Sequence, residues 1–552
     1  MKKTWWKEAV VYQIYPRSFY DSNGDGIGDI QGIIQKLDHL KDLGIDVIWL
    51  GPVYDSPNDD NGYDIRDYYD IMEEFGTMAD FDQLLEEVHN RGMKLIMDLV
   101  VNHSSDEHKW FVESRSSKDH PKRDYYIWKD GKGDNPPNNW PSFFSGDAWK
   151  YDEETEQWYL HLFTQKQPDL NWENPKVRQE VFDLMNWWLE KGIDGFRMDV
   201  ISVISKRDFE DTPHEIFEET ISAKYANGPK IEAYLSEMVD KTISNYDVMT
   251  VGEGPGIDFD NALKYVDESK SRLNMIFHFD HMFIDHGPKG KFYPKRYDFV
   301  EFKKVFQKWD EIVDQGGWPA IFLGNHDFPR IVSRFGNDSE YQAESAKALA
   351  LLLLTLRGTT YIYQGEEIGM TNVKLPSILD YRDVETLNAY REAEAKDDDL
   401  KEFMSGVYAQ GRDNARTPMQ WNNHQNGGFS LTIPWLLSNP NHTSINVEDQ
   451  QHSENSVLNF YKKAIQLRKE HSTLVYGTFK VHQLEHPELF MYERKDENGN
   501  FLVVINFSEK KENFQSSKKD YEILLNNYPD LSTTHKVVHL RPWEACIFKE
   551  RI

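Results

Sequence analysis

Four short segments of the chain place carboxylates next to imidazole or guanidinium groups. They are DLVVNH at 98–103, GFRMDV at 195–200, VGE at 251–253 and NHD at 325–327. Each follows or completes a short apolar run, which is typical of a strand buried on both faces. Arg197 and Asp199 are two positions apart, so strand periodicity places them on the same face. The four segments therefore predict one polar site built where several strands end.

A site of this composition suits a reaction in which an oxocarbenium-like cation develops. Glycoside cleavage uses one carboxyl group as acid and base and a second as nucleophile, about 5–5.5 Å apart in retaining enzymes. Repulsion between neighbouring carboxylates favours a proton on one of them, and Arg197 is expected to hold Asp199 ionised. A single acid at a strand end could equally cap a helix or pair with a lysine. Acids at successive strand ends favour catalysis instead.

Apolar runs that are typical of buried strands alternate with amphipathic stretches that are typical of helices. The predicted strands lie at 10–15, 47–53, 94–101, 195–201, 248–252, 320–324 and 359–363. Helical patterns lie at 78–91, 175–191 and 344–356. This alternation predicts an α/β protein with a (β/α)₈ TIM barrel, whose active site lies on loops at the carboxyl ends of the strands.

Two regions interrupt the alternation. Residues 104–172 are rich in Asn, Pro, Gly and Trp without helical periodicity, which predicts a small domain inserted after the third strand. Beyond residue 475, alternating patterns at 489–494 and 501–507 are joined through Asn498-Gly499, a strong hairpin signal. We therefore expect a catalytic barrel at 1–103 and 173–474, an inserted domain at 104–172 and a C-terminal antiparallel β-sandwich domain at 475–552.

The charge and cysteine content of this 552-residue chain exclude several classes of protein. Its net charge of −30 opposes binding to nucleic acid or to an anionic membrane, because phosphates need cationic partners. The single cysteine, Cys546, cannot form an internal disulfide. The N-terminal residues lack the apolar stretch of a signal peptide, and no apolar run approaches the roughly 20 residues that span a bilayer. We expect a cytoplasmic monomer that binds a small substrate.

The four polar segments resemble the signature regions of the α-amylase superfamily, glycoside hydrolase family 13. Within this superfamily, the more specific resemblance is to the oligo-1,6-glucosidase and α-glucosidase branch. Five further motifs support it: NGYDI at 61–65, QPDLNW at 167–172, VSRFGND at 332–338, QGEEIGM at 364–370 and GRDNARTPMQW at 411–421. Together the motifs extend over essentially the whole chain.

The resemblance implies three catalytic carboxyl groups. Asp199 would be the nucleophile that forms a covalent glucosyl ester. Glu253 would protonate the leaving oxygen and then activate water. Asp327 would bind hydroxyl groups of the distorted sugar ring and stabilise the transition state, while Arg197 would orient Asp199.

The resemblance also implies a set of residues that bind the terminal glucose. Tyr63 would stack against the sugar, and His103 and His326 would bind its hydroxyl groups. Asp64 and Arg412 would clamp the far hydroxyl and close the pocket, which enforces removal of terminal residues. Two pocket-wall positions match at the base of the inserted domain, although core packing would explain them almost as well: Phe163 and Gln167.

The linkage preference depends on the residue that follows the nucleophile. In the family branch, valine at this position accompanies α-1,6 cleavage, whereas smaller or polar residues accompany α-1,4 cleavage. Val200 therefore favours α-1,6, although valine is also simply a favoured strand residue. One methyl group near the scissile bond is worth only about 1–3 kcal/mol. The expected activity is a retaining exo-α-glucosidase that acts on isomaltose and isomalto-oligosaccharides.

Several related activities stay open at this stage. They are a maltase-type α-1,4-glucosidase, a sucrose isomerase, a trehalose-6-phosphate hydrolase and, more remotely, a non-catalytic protein on the glucosidase scaffold. Residues 295–299 lack the Arg-Leu-Asp-Arg-Asp pattern of the isomerases. Phe328 stands where hydrolases of this branch commonly have glutamine, which leaves the preference for the leaving group open.

A loop near the N-terminus has the donor spacing of a cation site. Asp21, Asn23, Asp25 and Asp29 supply oxygens at positions one, three, five and nine, and Ile27 can supply its carbonyl at position seven. Position twelve is a glycine, and the flanking helices of an EF-hand are missing. The loop is expected to hold one structural Ca²⁺ or Mg²⁺, as the family branch does, although a metal-free turn has similar chemistry.

Overall fold

A sheet of eight parallel strands forms the centre of the protein. The structure, a computed structural model, describes residues 2–515, 521–534 and 537–551. The barrel strands are β1 (Val10–Ile14), β2 (Val47–Leu50), β3 (Lys94–Leu99), β4 (Gly195–Met198), β5 (Met249–Glu253), β6 (Met275–Phe277), β7 (Ala320–Ile321) and β8 (Thr359–Tyr363). Their order is β6-β5-β4-β3-β2-β1-β8-β7, and a parallel bridge from Ile276 to Pro319 joins the outer strands. The predicted (β/α)₈ barrel is confirmed.

One main helix follows each barrel strand in sequence; most are amphipathic, whereas Gln342–Thr355 is buried along most of its length. They are Ile30–Leu43, Met78–Asn90, Pro175–Lys191, Ile231–Lys241, Phe259–Val266, Phe299–Asp314, Gln342–Thr355 and Val457–Glu470. Capping residues and glycines determine where these helices begin and end. Thr77 and Asp80 form a capping box at the start of the second helix. Asn174 caps the third, and Gly192 ends it with a left-handed φ of 106°.

Shorter helices occupy the loops. The α-helices are Trp5–Glu8, Lys109–Ser116, Phe217–Thr220, Ile331–Phe335, Val384–Ala395, Leu400–Gln410, Asp413–Arg416, Val447–Gln451 and Thr473–Tyr476. A π-helical turn spans Ile221–Tyr225. The 3₁₀ turns are Pro16–Ser18, Arg123–Tyr125, Ile201–Val203, Ile243–Asn245, Glu366–Ile368, Ile378–Asp380, Gln425–Gly428 and Pro440–Thr443. Many of these elements lie between β4 and β5 or after β8, where they surround the carboxyl ends of the strands.

The segment inserted after β3 has a small sheet of its own. Trp128–Lys129, Trp149–Asp152 and Gln157–Leu160 form three antiparallel strands. A bridge between His103 and Asp169 ties the end of the segment to the end of β3. A separate hairpin after β2 pairs Tyr54–Asp55 with Asp67–Ile71. Both additions therefore lie beside the carboxyl ends of the barrel strands.

The C-terminal region is antiparallel, as expected. One sheet contains, in spatial order, Thr478–His482, Leu489–Asp496, Gly499–Asn506, Ala545–Glu550 and Tyr521–Asn526. A second sheet contains Glu512–Gln515, Val537–Leu540 and Ser532–Thr534. Asp496 pairs with Gly499, so the hairpin turn is formed by Glu497 and Asn498, one residue earlier than expected.

The predicted domain limits stay predictions. Residues 516–520, 535–536 and 552 of the C-terminal domain, and residue 1 of the barrel, lie outside the described residues. Across the described ranges, every helix is too short or too polar to cross a membrane.

Candidate active site

The carboxyl ends of the barrel strands open into a cavity of about 990 Å³. Nine of the twelve predicted catalytic and sugar-binding residues line it: Tyr63, His103, Phe163, Asp199, Val200, Glu253, His326, Asp327 and Arg412. Asp64, Gln167 and Arg197 are buried next to it rather than in its lining. Side chains that are far apart in sequence therefore meet at one site.

Arg197 connects the two carboxylates that are expected to act on the substrate. Its Nη1 donates to Asp199 Oδ1 at 2.7 Å, and its Nη2 lies 2.8 Å from Glu253 Oε1. Nη1 also contacts the buried Asp98, which in turn accepts a hydrogen bond from Trp49. Asp199 and Glu253 also line the same cavity. This arrangement favours the closely spaced pair that is typical of retaining glycosidases.

Val200 adopts a backbone conformation that is rare for a β-branched residue. Its φ and ψ are +35° and +39°, in the left-handed region. Such a conformation costs roughly 1–3 kcal/mol and persists only where the surroundings enforce it. Here it directs the Val200 N–H at Glu253 Oε2, 2.9 Å away. The end of β4 thus orients the carboxyl group at the end of β5.

The buried carboxylates share an electrostatic constraint. Burial raises the pKa of Asp199 well above its usual value; Arg197 acts in the opposite direction, and Glu253 adds to the increase. One guanidinium cation faces three carboxylates, Asp98 included, so a proton on one of them relieves repulsion. A nucleophile and a general acid that act together require one proton between their two carboxyl groups.

Asp327 is held in its ionised form. Although burial opposes this, His326, Arg412 and Arg416 hold the pKa of Asp327 well below its usual value. His326 Nε2 lies 3.0 Å from Oδ2, and the two arginines contact Oδ1 at 3.2 and 3.0 Å. A fixed negative charge at this position suits binding of sugar hydroxyls beside a developing cation.

Tyr63 and His326 form a flat wall of the cavity. Their rings are stacked, with centroids 5.2 Å apart and an angle of 5° between planes. Gln13 Nε2 contacts His326 Nδ1 at 2.7 Å, and this contact fixes the orientation of the imidazole ring. The position agrees with the expected stacking role of Tyr63.

The clamp at the closed end contains Asp60, not Asp64. Arg412 Nη2 lies 3.3 Å from Asp60 Oδ1, and Asp60 lines the cavity. Asp64 is fully buried, and its two oxygens accept the backbone N–H groups of Asp59 and Asp60 at 2.8 and 3.0 Å. Asp64 therefore folds the loop that presents Asp60, and its expected pairing with Arg412 is corrected.

Gln167 lies behind His103, which lines the cavity, and the two side chains contact each other. His103 Nε2 is 3.1 Å from the carbonyl of Tyr63, and burial lowers the pKa of His103 to about 4. Gln167 is fully buried, with its amide nitrogen 3.3 Å from the same imidazole and 3.1 Å from Asp60 Oδ2. Phe163 packs on His103 at the cavity surface. Gln167 thus supports two sugar-facing groups without facing the sugar itself.

Sequence reasoning missed several residues of the closed end. Asp383 contacts Arg412 Nη2 at 2.6 Å while its oxygens also cap the helix Val384–Ala395. Arg416 lies four residues after Arg412 in the motif at 411–421, a spacing that places both on one face of a short helix. That spacing is the signal that could have identified Arg416. Asp383 gave no signal beyond that of an ordinary N-cap.

The loop at 21–29 folds on its own hydrogen bonds. Asp21 accepts backbone N–H groups of Asn23, Gly24 and Gly26, and Asp29 caps the helix Ile30–Leu43. In the described part of the chain, no three His, Cys, Asp or Glu side chains are arranged to hold a metal ion. The donors are nevertheless all hard oxygens. A cation here would need the Asn23 and Ile27 oxygens in addition to the carboxylates.

Comparison with known proteins gives a consistent result. The family model "alpha amylase, catalytic domain" matches residues 13–477. The chain is 55% identical over 561 residues to the oligo-1,6-glucosidase of Parageobacillus thermoglucosidasius, with 100% of both chains covered. It is similar in structure to trehalose-6-phosphate hydrolase of Bacillus licheniformis, at 45% identity, TM-score 0.95 and full coverage of both chains. It is also similar to isomaltulose synthase of Klebsiella sp. LX3, at 43% identity, TM-score 0.96 and full coverage of both chains.

These similarities agree with a barrel whose strand ends carry an acid pair, a third carboxylate and their arginine and histidine partners. The expected family resemblance is confirmed. The chain belongs to the α-amylase family of glycoside hydrolases, through a catalytic domain that matches over residues 13–477.

Proposed function

We propose that this protein is a retaining exo-α-glucosidase that releases terminal α-1,6-linked glucose from isomaltose and isomalto-oligosaccharides. One observation carries the reaction type: Asp199 and Glu253 face one cavity and are bridged by a single guanidinium group. Full-length similarity to an oligo-1,6-glucosidase supports the linkage.

We assign a role to each carboxyl group, and the geometry supports this assignment. Asp199 attacks the anomeric carbon while Glu253 gives its proton to the leaving oxygen, which yields a glucosyl ester of Asp199. Glu253 then takes a proton from water as water displaces Asp199, so the anomeric configuration is retained. Asp327, held ionised by His326 and two arginines, stabilises the positive charge that develops on the ring in both steps.

The closed end of the cavity supports removal of terminal units. Arg412 contacts Asp60, Asp327 and Asp383 at once, and we infer that this buried cluster blocks a longer chain beyond the terminal glucose. We expect the rest of the substrate to extend into the remainder of the cavity. Both features agree with an exo-acting enzyme.

Hydrolysis of a panel of disaccharides tests the proposal. Isomaltose should be cleaved faster than maltose, sucrose or trehalose 6-phosphate, and the first glucose detected by NMR should be the α-anomer. Asp199→Asn should abolish turnover, with the folded state checked by circular dichroism. Faster maltose cleavage would contradict the linkage, and release of β-glucose would contradict retention.

Val200 offers a sharper test of linkage. Val200→Ala widens the space beside the scissile bond, so kcat/KM for isomaltose relative to maltose should fall by about 5- to 150-fold, equivalent to roughly 1–3 kcal/mol. The ratio cancels losses common to both substrates. An unchanged ratio would assign linkage preference to other residues.

We also propose that the loop at 21–29 binds one structural divalent cation, Ca²⁺ or Mg²⁺, supported by its set of oxygen donors. EDTA should lower the melting temperature of the protein, and added Ca²⁺ or Mg²⁺ should restore it. In Asp25→Asn, whose side chain is exposed, the response to EDTA should disappear. A melting temperature insensitive to EDTA in the parent protein would contradict the proposal.

We also propose that the protein is a monomer and that it is located in the cytoplasm. The single thiol, Cys546, is buried and unpaired, so folding requires no oxidising compartment. Light scattering after size-exclusion chromatography tests the monomer against the chain mass of 64.9 kDa.

A further inference from the structure

The helix Asp413–Arg416 is too short to be stable by itself. It has four residues, all of them buried, and it begins directly after Arg412 and ends at Arg416. Forming one helical turn costs more conformational entropy than its few hydrogen bonds offset. The last carbonyl groups of a helix also have no partners within it. Side chains from elsewhere in the molecule must therefore hold this turn in place.

Three buried side chains donate hydrogen bonds to successive carbonyl groups of this helix. We call them the carbonyl clamp, and each is at most 3% exposed: Ser18, Arg330 and Tyr363. Arg330 Nε donates to the carbonyl of the second helix residue at 3.1 Å. The Tyr363 hydroxyl donates to the third carbonyl at 2.9 Å, and Ser18 Oγ donates to the fourth at 2.6 Å. The carbonyl clamp thus supplies the donors that the helix lacks.

The carbonyl clamp comes from three separate parts of the barrel. Ser18 ends the 3₁₀ turn after β1, Arg330 lies in the loop after β7, and Tyr363 ends β8. Ser18 Oγ also accepts the Nε1–H of Trp435 at 3.0 Å, and Arg330 Nη1 donates to the carbonyl of Gln364 at 2.6 Å. The three clamp side chains lie outside the cavity lining. Any effect they have on a bound substrate must pass through the helix that they hold.

Arg416 connects this helix to the third catalytic carboxyl group. Its Nε donates to the carbonyl of His326 at 3.0 Å, and its Nη2 donates to Asp327 Oδ1 at 3.0 Å. Arg412, at the other end of the helix, contacts the same Oδ1 at 3.2 Å. Two guanidinium groups meet at one carboxylate oxygen only when the backbone between them is fixed. The position of the helix therefore determines how Asp327 is held.

We propose that the members of the carbonyl clamp are positioning residues for the glucosidase reaction, and that they act through Arg416 on Asp327. The proposal rests on the proposed function, in which Asp327 stabilises the charge that develops on the glucose ring. That charge is largest in the transition state, so a displaced Asp327 should lower kcat more than it raises KM.

Ser18→Ala removes one hydrogen bond of the carbonyl clamp and tests the proposal with isomaltose as substrate. We expect kcat to fall by about 10- to 100-fold, the loss that a displacement of about 1 Å can cause, with a smaller change in KM. Ser114→Ala is the matched control. Ser114 is equally buried in the inserted segment, donates to the carbonyl of Arg123 at 2.8 Å and accepts the Nε1–H of Trp128 at 3.0 Å. It lies outside the cavity lining, so its loss should lower the melting temperature without a comparable loss of kcat.

A double-mutant cycle separates positioning from a general loss of structure. Because the carbonyl clamp acts through Arg416, Ser18→Ala should cause little further loss of kcat once Arg416→Met has removed the guanidinium group. Tyr363→Phe, which removes only a hydroxyl group, should show the same pattern, and it replaces Ser18→Ala in the test if that variant does not fold.

Two outcomes would overturn the proposal. One is an equal kcat in the clamp variant and in Ser114→Ala. The other is a loss of kcat that is undiminished in the Arg416→Met background. A parent protein that releases no glucose from isomaltose would contradict the proposed function instead, so the two failures are distinguishable.

Discussion

Asp60 and Asp64 lie in the same loop, four residues apart, and have different tasks. The carboxylate of Asp60 faces the cavity beside Arg412, whereas the carboxylate of Asp64 accepts two backbone N–H groups of its own loop. Burial raises the pKa of Asp64 to about 7, while its two backbone hydrogen bonds act in the opposite direction. The motif at 61–65 contains Asp64 but not Asp60, so the sequence pattern pointed only to Asp64. Only the path of the loop shows that Asp60 reaches Arg412.

Amide variants should separate the two roles. Asp60→Asn removes a charged contact at the closed end, while Arg412 keeps Asp383 and Asp327 as partners. We expect kcat/KM for isomaltose to fall by about 10- to 150-fold with little change in melting temperature, the loss of one charged hydrogen bond. Asp64→Asn points an NH₂ group at a backbone N–H and should mainly lower the melting temperature. The reverse pattern would return Asp64 to the sugar clamp.

At the scale of elements, hydrophobic patterns predicted the long, regularly patterned elements but not the shortest strands. The helix Pro175–Lys191 agrees with its prediction at both ends because Asn174 and Gly192 mark them chemically. β6 is only three residues long and β7 only two, so β6 gave no recognisable run and β7 was predicted too long. The catalytic residues were predictable because they lie near strand ends: Asp199 follows β4, Glu253 ends β5 and Asp327 lies in the loop after β7. The partners on the loop after β8 were not, since long-range contacts leave no local pattern.

Buried Arg494 joins a C-terminal strand to the helix Gln342–Thr355 through the carbonyl of Thr355, and buried Arg468 contacts the end of the same helix. Arg494 and Arg468 are at most 1% exposed, and burial lowers the pKa of Arg494 to about 9 and that of Arg468 to about 10. Both guanidinium groups donate to backbone carbonyls: Arg494 donates to Leu474 at 2.7 Å and Gly477 at 2.9 Å, and Arg468 donates to Leu354 at 3.0 Å. They satisfy carbonyl groups at helix ends that would otherwise be buried without donors.

Arg494→Met should reveal how much this connection contributes. The change leaves several carbonyl groups buried without donors, so we expect the protein to lose at least about 2–3 kcal/mol of stability. Urea unfolding followed by tryptophan fluorescence measures the loss. Arg66→Met is the matched control, because Arg66 forms ion pairs on the surface with a 43% exposed side chain and should cost less than about 1 kcal/mol. Equal losses of stability in the two variants would show that the carbonyl contacts of Arg494 contribute no more than a surface ion pair.

Across the whole molecule, several buried histidines are held neutral. The chain itself carries a net charge of −30, which opposes binding of phosphate-rich partners. Burial lowers the pKa of His108 and His281 to about 3 and that of His103 to about 4. These rings are neutral in the folded state at any pH above about 5. The unfolded chain, by contrast, takes up protons on its histidines below about pH 6.5.

His108 allows this linkage to be measured at one position. Its Nδ1 accepts the backbone N–H of Trp110 at 3.1 Å and so caps the helix Lys109–Ser116. His108→Asn keeps a capping oxygen but removes the titrating group. The folded pKa lies below the unfolded one, so protons favour the unfolded chain and the parent protein loses stability as pH falls below about 6.5. Without that group, the slope of unfolding free energy between pH 6 and pH 5 should be shallower by about 1 kcal/mol per pH unit. Urea unfolding at fixed pH values gives both slopes, which should be parallel above pH 8. Identical slopes between pH 6 and pH 5 would mean that His108 takes up a proton in the folded protein as readily as in the unfolded chain.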